Sequence, residues 1–192
     1  MNHDSYPDAY IRGVLNTVKT IAMVGASEKE NRPSYFAFKY LLERGYRMIP
    51  VNPGHAGHSM LGQKIYARLA DIPKPIDMVD VFRDAQYALP IVQEVLALEP
   101  RPHVIWMQLG VRNDEAAALA EANGLKVVMN RCPKIEYGRL SSEIAWMGVN
   151  TRTLSSKKAT IGGMQRMTLN RTSGQGGATE AADRAQREEG GQ

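Results

Sequence analysis

Residues able to hold or transform a ligand fall in five short segments of the 192-residue chain. The first is Gly25-Ala26-Ser27, with Arg32 and Ser34 close behind. A glycine lets the backbone turn sharply, and small residues after it leave room for close approach. A helix opening at Ser34 would present free N–H groups and the positive end of its dipole. Arg32 adds a planar donor suited to bidentate phosphate contact. This is the chemistry of a phosphate cradle, although the segment is not G-x-G-x-x-G and runs longer than that fingerprint. The bland alternative is a plain turn at Gly25 with a solvated arginine. The second segment is Val51-Asn52-Pro53-Gly54-His55, with His58 beyond it. Asn52 suits a sugar or a base edge, Pro53 gives a rigid apolar surface, and the histidines reach toward phosphate. Taken singly, each histidine also reads as an ordinary loop residue. The remaining segments are Phe82-Arg83, Gln108-Leu109-Gly110 and Asn130-Arg131-Cys132-Pro133.

Catalytic machinery is not apparent. The four histidines are His3, His55, His58 and His103, and the last reads as structural. There is no Ser/His/Asp order, nucleophile elbow or metal-ligand cluster of recognised spacing. Neither a catalytic residue nor a metal site is expected. Asp77 marks a strand entry, while Asp80 falls within a buried strand and requires a hydrogen-bond partner. Cys132 is the single cysteine, so an internal disulfide is excluded. Two readings of it stay open. Basic neighbours such as Arg131 and Lys134 can lower a thiol pKa; a buried cysteine is otherwise an inert small hydrophobe.

The elements that must carry these segments follow from the apolar pattern. Short β-branched runs at 20–25, 46–51, 77–82, 103–108 and 125–129 alternate with helical periods near 10–18, 34–44, 87–98 and 113–122. Ser34 and Asn113 are the expected N-caps, and Phe36, Tyr40 and Leu41 the expected inward face of the 34–44 helix. Such alternation predicts an α/β fold: a Rossmann-like, doubly wound parallel sheet of about five strands in three α/β/α layers. The strands are apolar almost throughout, as expected when both faces are covered. Every segment above then lies at a strand's carboxyl end, where open parallel sheets bind ligands.

Composition bounds the rest. Hydrophobic residues make up 43% and charged residues 23%, which is ordinary for a globular chain. No apolar run approaches a membrane span. No secretory signal is seen in residues 1–10. With the lone cysteine, this points to the cytoplasm. The net charge of +4 lies mostly in residues 151–192. That stretch is rich in glycine, serine and threonine, and is expected to be a disordered basic tail behind a domain spanning 8–150. A transient helix near 179–189 and a protein partner for the tail are open alternatives; no nucleic-acid or membrane partner is expected.

In this order, several pieces resemble one family. They are Val24-Gly-Ala-Ser27, Arg32-Pro-Ser34, 45–53 (GYRMIPVNP), Leu61-Gly62, 77–83 (DMVDVFR), 106–110 (WMQLG) and 124–133 (GLKVVMNRCP). The chain is similar to the CoA-binding domain family, small cytoplasmic proteins like the amino-terminal domain of the succinyl-CoA synthetase α subunit. The resemblance implies coenzyme A as ligand. Gly25, Ala26 and Ser27 would line the pyrophosphate with Arg32 near. Val51, Asn52 and Pro53 would hold the adenosine end. Val81, Phe82 and Arg83 would flank nucleotide and pantetheine. Gln108, Gly110 and Cys132 would approach the thiol. His55 stands where the ligase subunit has lysine, and the ligase's phosphohistidine domain has no counterpart.

The expected function is a non-catalytic coenzyme-binding module. One alternative is an NAD- or NADP-dependent oxidoreductase, disfavoured because no carboxylate follows the second strand to accept from ribose hydroxyls. Another is a redox-responsive carrier that forms a mixed disulfide through Cys132.

Overall fold

The computed structural model describes residues 1–141. The expectations for a disordered tail at 151–192, and for a domain end near residue 150, lie outside the described residues.

The main sheet has five parallel strands: β1 (Thr20–Val24), β2 (Arg47–Val51), β5 (Met78–Val81), β6 (Val104–Met107) and β7 (Lys126–Val128). Their order is β2-β1-β5-β6-β7, all parallel. A small antiparallel hairpin, β3 (Ser59–Met60) and β4 (Gln63–Lys64), follows β2. The helices are α1 (Asp8–Thr17), α2 (Pro33–Glu43), α3 (Ala88–Leu96), α4 (Asp114–Ala122) and α5 (Pro133–Leu140). One core lies under α3 and α4 and contains Val79, Val81, Ile105 and Val127. The other lies under α1 and α2 and contains Ile21, Met23, Phe38 and the fully buried Trp106. This is the expected three-layer, Rossmann-like architecture.

Register aligns the functional ends. Val24 pairs with both Val51 and Val81, and Val81 pairs with Met107. The strands therefore stop level, and their loops rise together along one edge of the sheet. The opposite edge is fastened by Asp77, whose Oδ2 accepts from the Lys19 and Thr20 N–H groups at 2.8 Å each. This bears out its reading as a strand-entry residue.

Details differ from the sequence expectations for physical reasons. Helix α2 starts at Pro33 with Arg32 as N-cap. Proline suits the first helical position, where its missing N–H is no loss. Ser34 is inside the first turn, and its hydroxyl accepts from the Ser27 N–H at 3.2 Å. The inward stripe of α2 is Ser34, Ala37, Phe38 and Leu41, while Phe36 is exposed. That is the i, i+3, i+4, i+7 face, anchored on the second phenylalanine rather than the first. Asn113 caps α4 as expected, accepting from the Ala116 N–H at 2.9 Å. The hairpin and α5 were not expected. Leu61 and Gly62 both have positive φ, 49° and 77°, the conformation of a two-residue primed turn. Leucine does not signal it.

One close approach fixes the whole edge. Gly25 has φ +85°, and a Cβ built on it would lie 2.5 Å from the Phe82 carbonyl oxygen. Gly25→Ala should therefore cost roughly 2–4 kcal/mol, combining left-handed strain with displacement of backbone. Urea unfolding checks this; an unchanged midpoint would show that the two strand ends part freely.

Candidate functional site

The chain leaves β1 toward α2 on one face of the sheet and leaves β5 toward α3 on the other. The crevice between these diverging connections is where a doubly wound sheet takes a ligand. Gly25 sits at its base. Its N–H donates to the Val51 carbonyl at 2.9 Å, and the Phe82 N–H donates to the Val24 carbonyl at 2.8 Å. Ala26 is fully buried behind it. The Asn52 Nδ2 donates to the Ala26 carbonyl at 2.8 Å, and its Oδ1 accepts from the Gly54 N–H at 3.0 Å. Asn52 thus ties the β2 loop to the β1 loop and caps the short turn Pro53–His55.

Gly25, Ala26, Ser27, Ser34, Asn52 and Phe82 are drawn together by these contacts. The Val51 side chain belongs to the core, and its contribution is the carbonyl that holds Gly25. Arg32 and Pro53 are exposed on the rim. The Arg83 guanidinium lies over the Tyr87 ring, 4.4 Å from its centroid. A cation stacked in this way keeps its N–H edge available for an anion.

The floor toward β6 and β7 is different. Asp80 is fully buried and accepts from Gln108 Nε2 at 2.9 and 3.2 Å. Burial pushes its carboxyl up to about 7, and the Gln108 hydrogen bond offsets this in part. Gln108 is thereby the partner that Asp80 required. Gly110 has positive φ, and its N–H donates to Asn130 Oδ1 at 2.9 Å. Asn130 itself has φ 52°, a conformation asparagine tolerates.

Cys132 is 4% exposed at the start of α5. Burial pushes its thiol up to about 11; the Ile135 and Lys134 N–H groups and the Lys134 charge pull the other way and lose. Of the two readings, the one in which basic neighbours lower this pKa is overturned, because desolvation of a buried thiolate outweighs them. Cys132 lies on the wall of a cavity of about 490 Å³ that also involves Tyr6, Leu109, Arg131 and Arg139.

Three contributors received no role from the sequence. The first is Asn130, which lay in a strand-end segment without one. The second is Tyr6, whose hydroxyl accepts from the Met129 N–H at 2.7 Å from 123 positions away. The third is Glu28, which the fold places beside His55 and His58. Glu28 is remote in sequence from the two histidines, so no spacing rule could find the group.

The buried carboxyl makes a testable pH signature. An acid with a folded pKa above its unfolded value binds more protons folded than unfolded. Stability therefore falls as pH rises from about 4 to about 7. Asp80→Asn stays neutral and still accepts from Gln108. Relative to the parent, it should gain a few kcal/mol across that range. Urea midpoints from pH 4 to 8 check this; parallel curves would return Asp80 to its ordinary pKa.

Among the described residues, no helix is long and apolar enough to cross a membrane. The family model described as a CoA binding domain matches residues 19–138. An uncharacterized protein of Bacillus subtilis (strain 168), YneT, is 36% identical over 129 residues, covering 67% of this chain and 93% of that one. A solved structure from Thermus thermophilus is 38% identical with TM-score 0.66, covering 70% of this chain and 99% of the other. A hypothetical protein from Pyrococcus horikoshii OT3 is also 38% identical, with TM-score 0.67, covering 72% and 94%. The matched span runs from the entry of β1 into α5 and takes in every loop of the crevice, and on this ground the chain belongs to the CoA-binding domain family.

Proposed function

We propose that the protein binds coenzyme A in the crevice at the carboxyl ends of β1, β2 and β5, and acts there as a binding module rather than as a catalyst. The observation that carries this reading is the bare backbone at Gly25, pressed against Phe82 at the switch point. A diphosphate suits such a point, where a tight turn leaves a strand end with a helix start nearby. Family membership supports coenzyme A as the ligand. In this reading Gly25, Ala26 and Ser27 face the pyrophosphate, with Arg32, Arg83 and His55 supplying donors on the rim. Asn52 and Pro53 border the adenosine. Phe82 lies beside the pantetheine, and Gln108, Gly110 and Cys132 lie toward the thiol. The folded unit in this proposal is residues 8–150, working in the cytoplasm.

The groups present support a non-catalytic role. The Asp80 carboxyl is sealed behind Gln108, and the Cys132 thiol is buried and protonated at neutral pH. A mixed disulfide through Cys132 would first require its exposure. An NAD site is disfavoured because Asn52 commits both ends of its amide to the loops. It cannot replace the carboxylate that accepts from both ribose hydroxyls.

Thermal shifts with CoA, dephospho-CoA, acetyl-CoA, NAD and NADP test the proposal. CoA at 100 times its Kd should add about 2.7 kcal/mol of stability. Tighter binding of NAD than of CoA would refute it.

Arg32 separates affinity from folding. Its side chain makes no ion pair among the described residues, so Arg32→Ala should leave the unfolding midpoint unchanged. CoA binding should weaken by roughly 1.5–3 kcal/mol, the range for a charge-assisted hydrogen bond. Arg32→Lys should recover part of it, since an ammonium lacks the planar fork. Calorimetry giving equal affinities for all three proteins would remove Arg32 from the site.

A further inference from the structure

We propose that Glu28, His55 and His58 form a binding site for a divalent transition-metal ion of the zinc class on the rim of the crevice. The three come from two loops. Glu28 lies between β1 and α2, His55 ends the turn after β2, and His58 follows three residues later. Both histidines bring Nδ1 near the same carboxylate oxygen, Glu28 Oε1, at 3.3 Å from His55 and 3.5 Å from His58. One donor atom from each residue lies within 4.8 Å of the other two. Tetrahedral zinc, with donors at about 2.0–2.1 Å, sets neighbouring donors about 3.3 Å apart. The two edges that run through Glu28 already have nearly this length. The remaining edge closes by side-chain torsion, since the His58 side chain is 65% exposed and meets little resistance.

The donor set selects the ion. Two imidazole nitrogens and one carboxylate suit zinc and its transition-metal neighbours, whereas calcium and magnesium take oxygen ligands. Three protein donors leave a fourth position open. The backbone holds the donors in place without the metal. Asn52 binds the Ala26 carbonyl and so locks the loop bearing Glu28 to the loop bearing His55. The His58 N–H donates to the His55 carbonyl at 3.2 Å, the Gly57 N–H to Ile65 at 3.0 Å, and the Ile65 N–H back to His58 at 2.9 Å. Gly57 makes this turn at φ +88°. Little loop ordering remains for the ion to impose. An ion here would also reverse the sign of a corner that Glu28 makes negative, beside loops that carry anion-binding groups.

The composition makes assignment clean. The other histidines are His3 and His103, the one cysteine is the buried Cys132, and residues 142–192 contain neither type. The full chain, without an affinity tag and stripped by a chelator, is titrated with Zn²⁺ by calorimetry and with Co²⁺ by visible absorption. One ion per chain should bind. His55→Gln, His58→Gln and Glu28→Gln should each weaken binding at least about tenfold and abolish the tetrahedral Co²⁺ band, while His3→Gln changes neither. Unaltered melting temperatures would confirm that these surface variants fold. No zinc binding, or binding undiminished in the His55/His58 double variant, would overturn the site and leave a carboxylate flanked by two imidazoles. No coenzyme is present in these titrations, so they succeed or fail independently of the coenzyme reading.

Discussion

The loops at the carboxyl ends of the strands depend on two stretches of backbone touching where a side chain would normally keep them apart. Gly25 lies directly against the Phe82 carbonyl. That contact sets how near the loops after β1 and β5 can come, and so the width of the crevice. It holds because its neighbours are fastened as well. Gly25 is bonded to Val51 on one side, and Phe82 to Val24 on the other. Level strand ends then make the loop positions a property of the sheet rather than of the loops. A loop supported in this way loses little entropy when a ligand arrives.

The two buried functional groups nearest the floor show how one environment sets different chemistries. Asp80 and Cys132 both lose water, and both are pushed toward their protonated forms. Asp80 keeps a donor in Gln108 and titrates near neutrality. Cys132 starts from a far higher ordinary value, so the same push leaves it a thiol. Sequence neighbours misled here because Lys134 is adjacent in the chain, yet its charge acts against the larger cost of desolvation. Burial is a property of the fold, and no local spacing reports it.

Much of the architecture was legible because parallel strands covered on both faces leave an unmistakable apolar run, as in Ile21 to Val24. Gly25, Asn113 and Asp77 were legible for a second reason: each acts on backbone a few residues away or at a strand end. The α2 face was misjudged by two residues, since Phe36 and Phe38 are equally apolar and tertiary packing alone selects the latter. Asn52 was read as a ligand contact, and the structure adds a role that the sequence did not show, a tie between two loops. Glu28 with His55 and His58, and Tyr6 with Met129, were beyond sequence reading. Each is a meeting of distant segments that exists only once the sheet has formed.

The amino-terminal tyrosines have a consequence for the sheet's outer margin. β7 is a border strand, and the Val127 carbonyl and Met129 N–H belong to its open side. The Tyr10 hydroxyl donates to the first at 3.2 Å, and the Tyr6 hydroxyl accepts from the second at 2.7 Å. Their rings stack with centroids 5.9 Å apart. A phenol satisfies one backbone group and offers no new backbone group in its place. At the other border, β2 contains Pro50, which has no N–H, and Tyr66 bridges to Val51. Both margins are thereby closed to a further strand, which guards an open sheet against edge-to-edge aggregation.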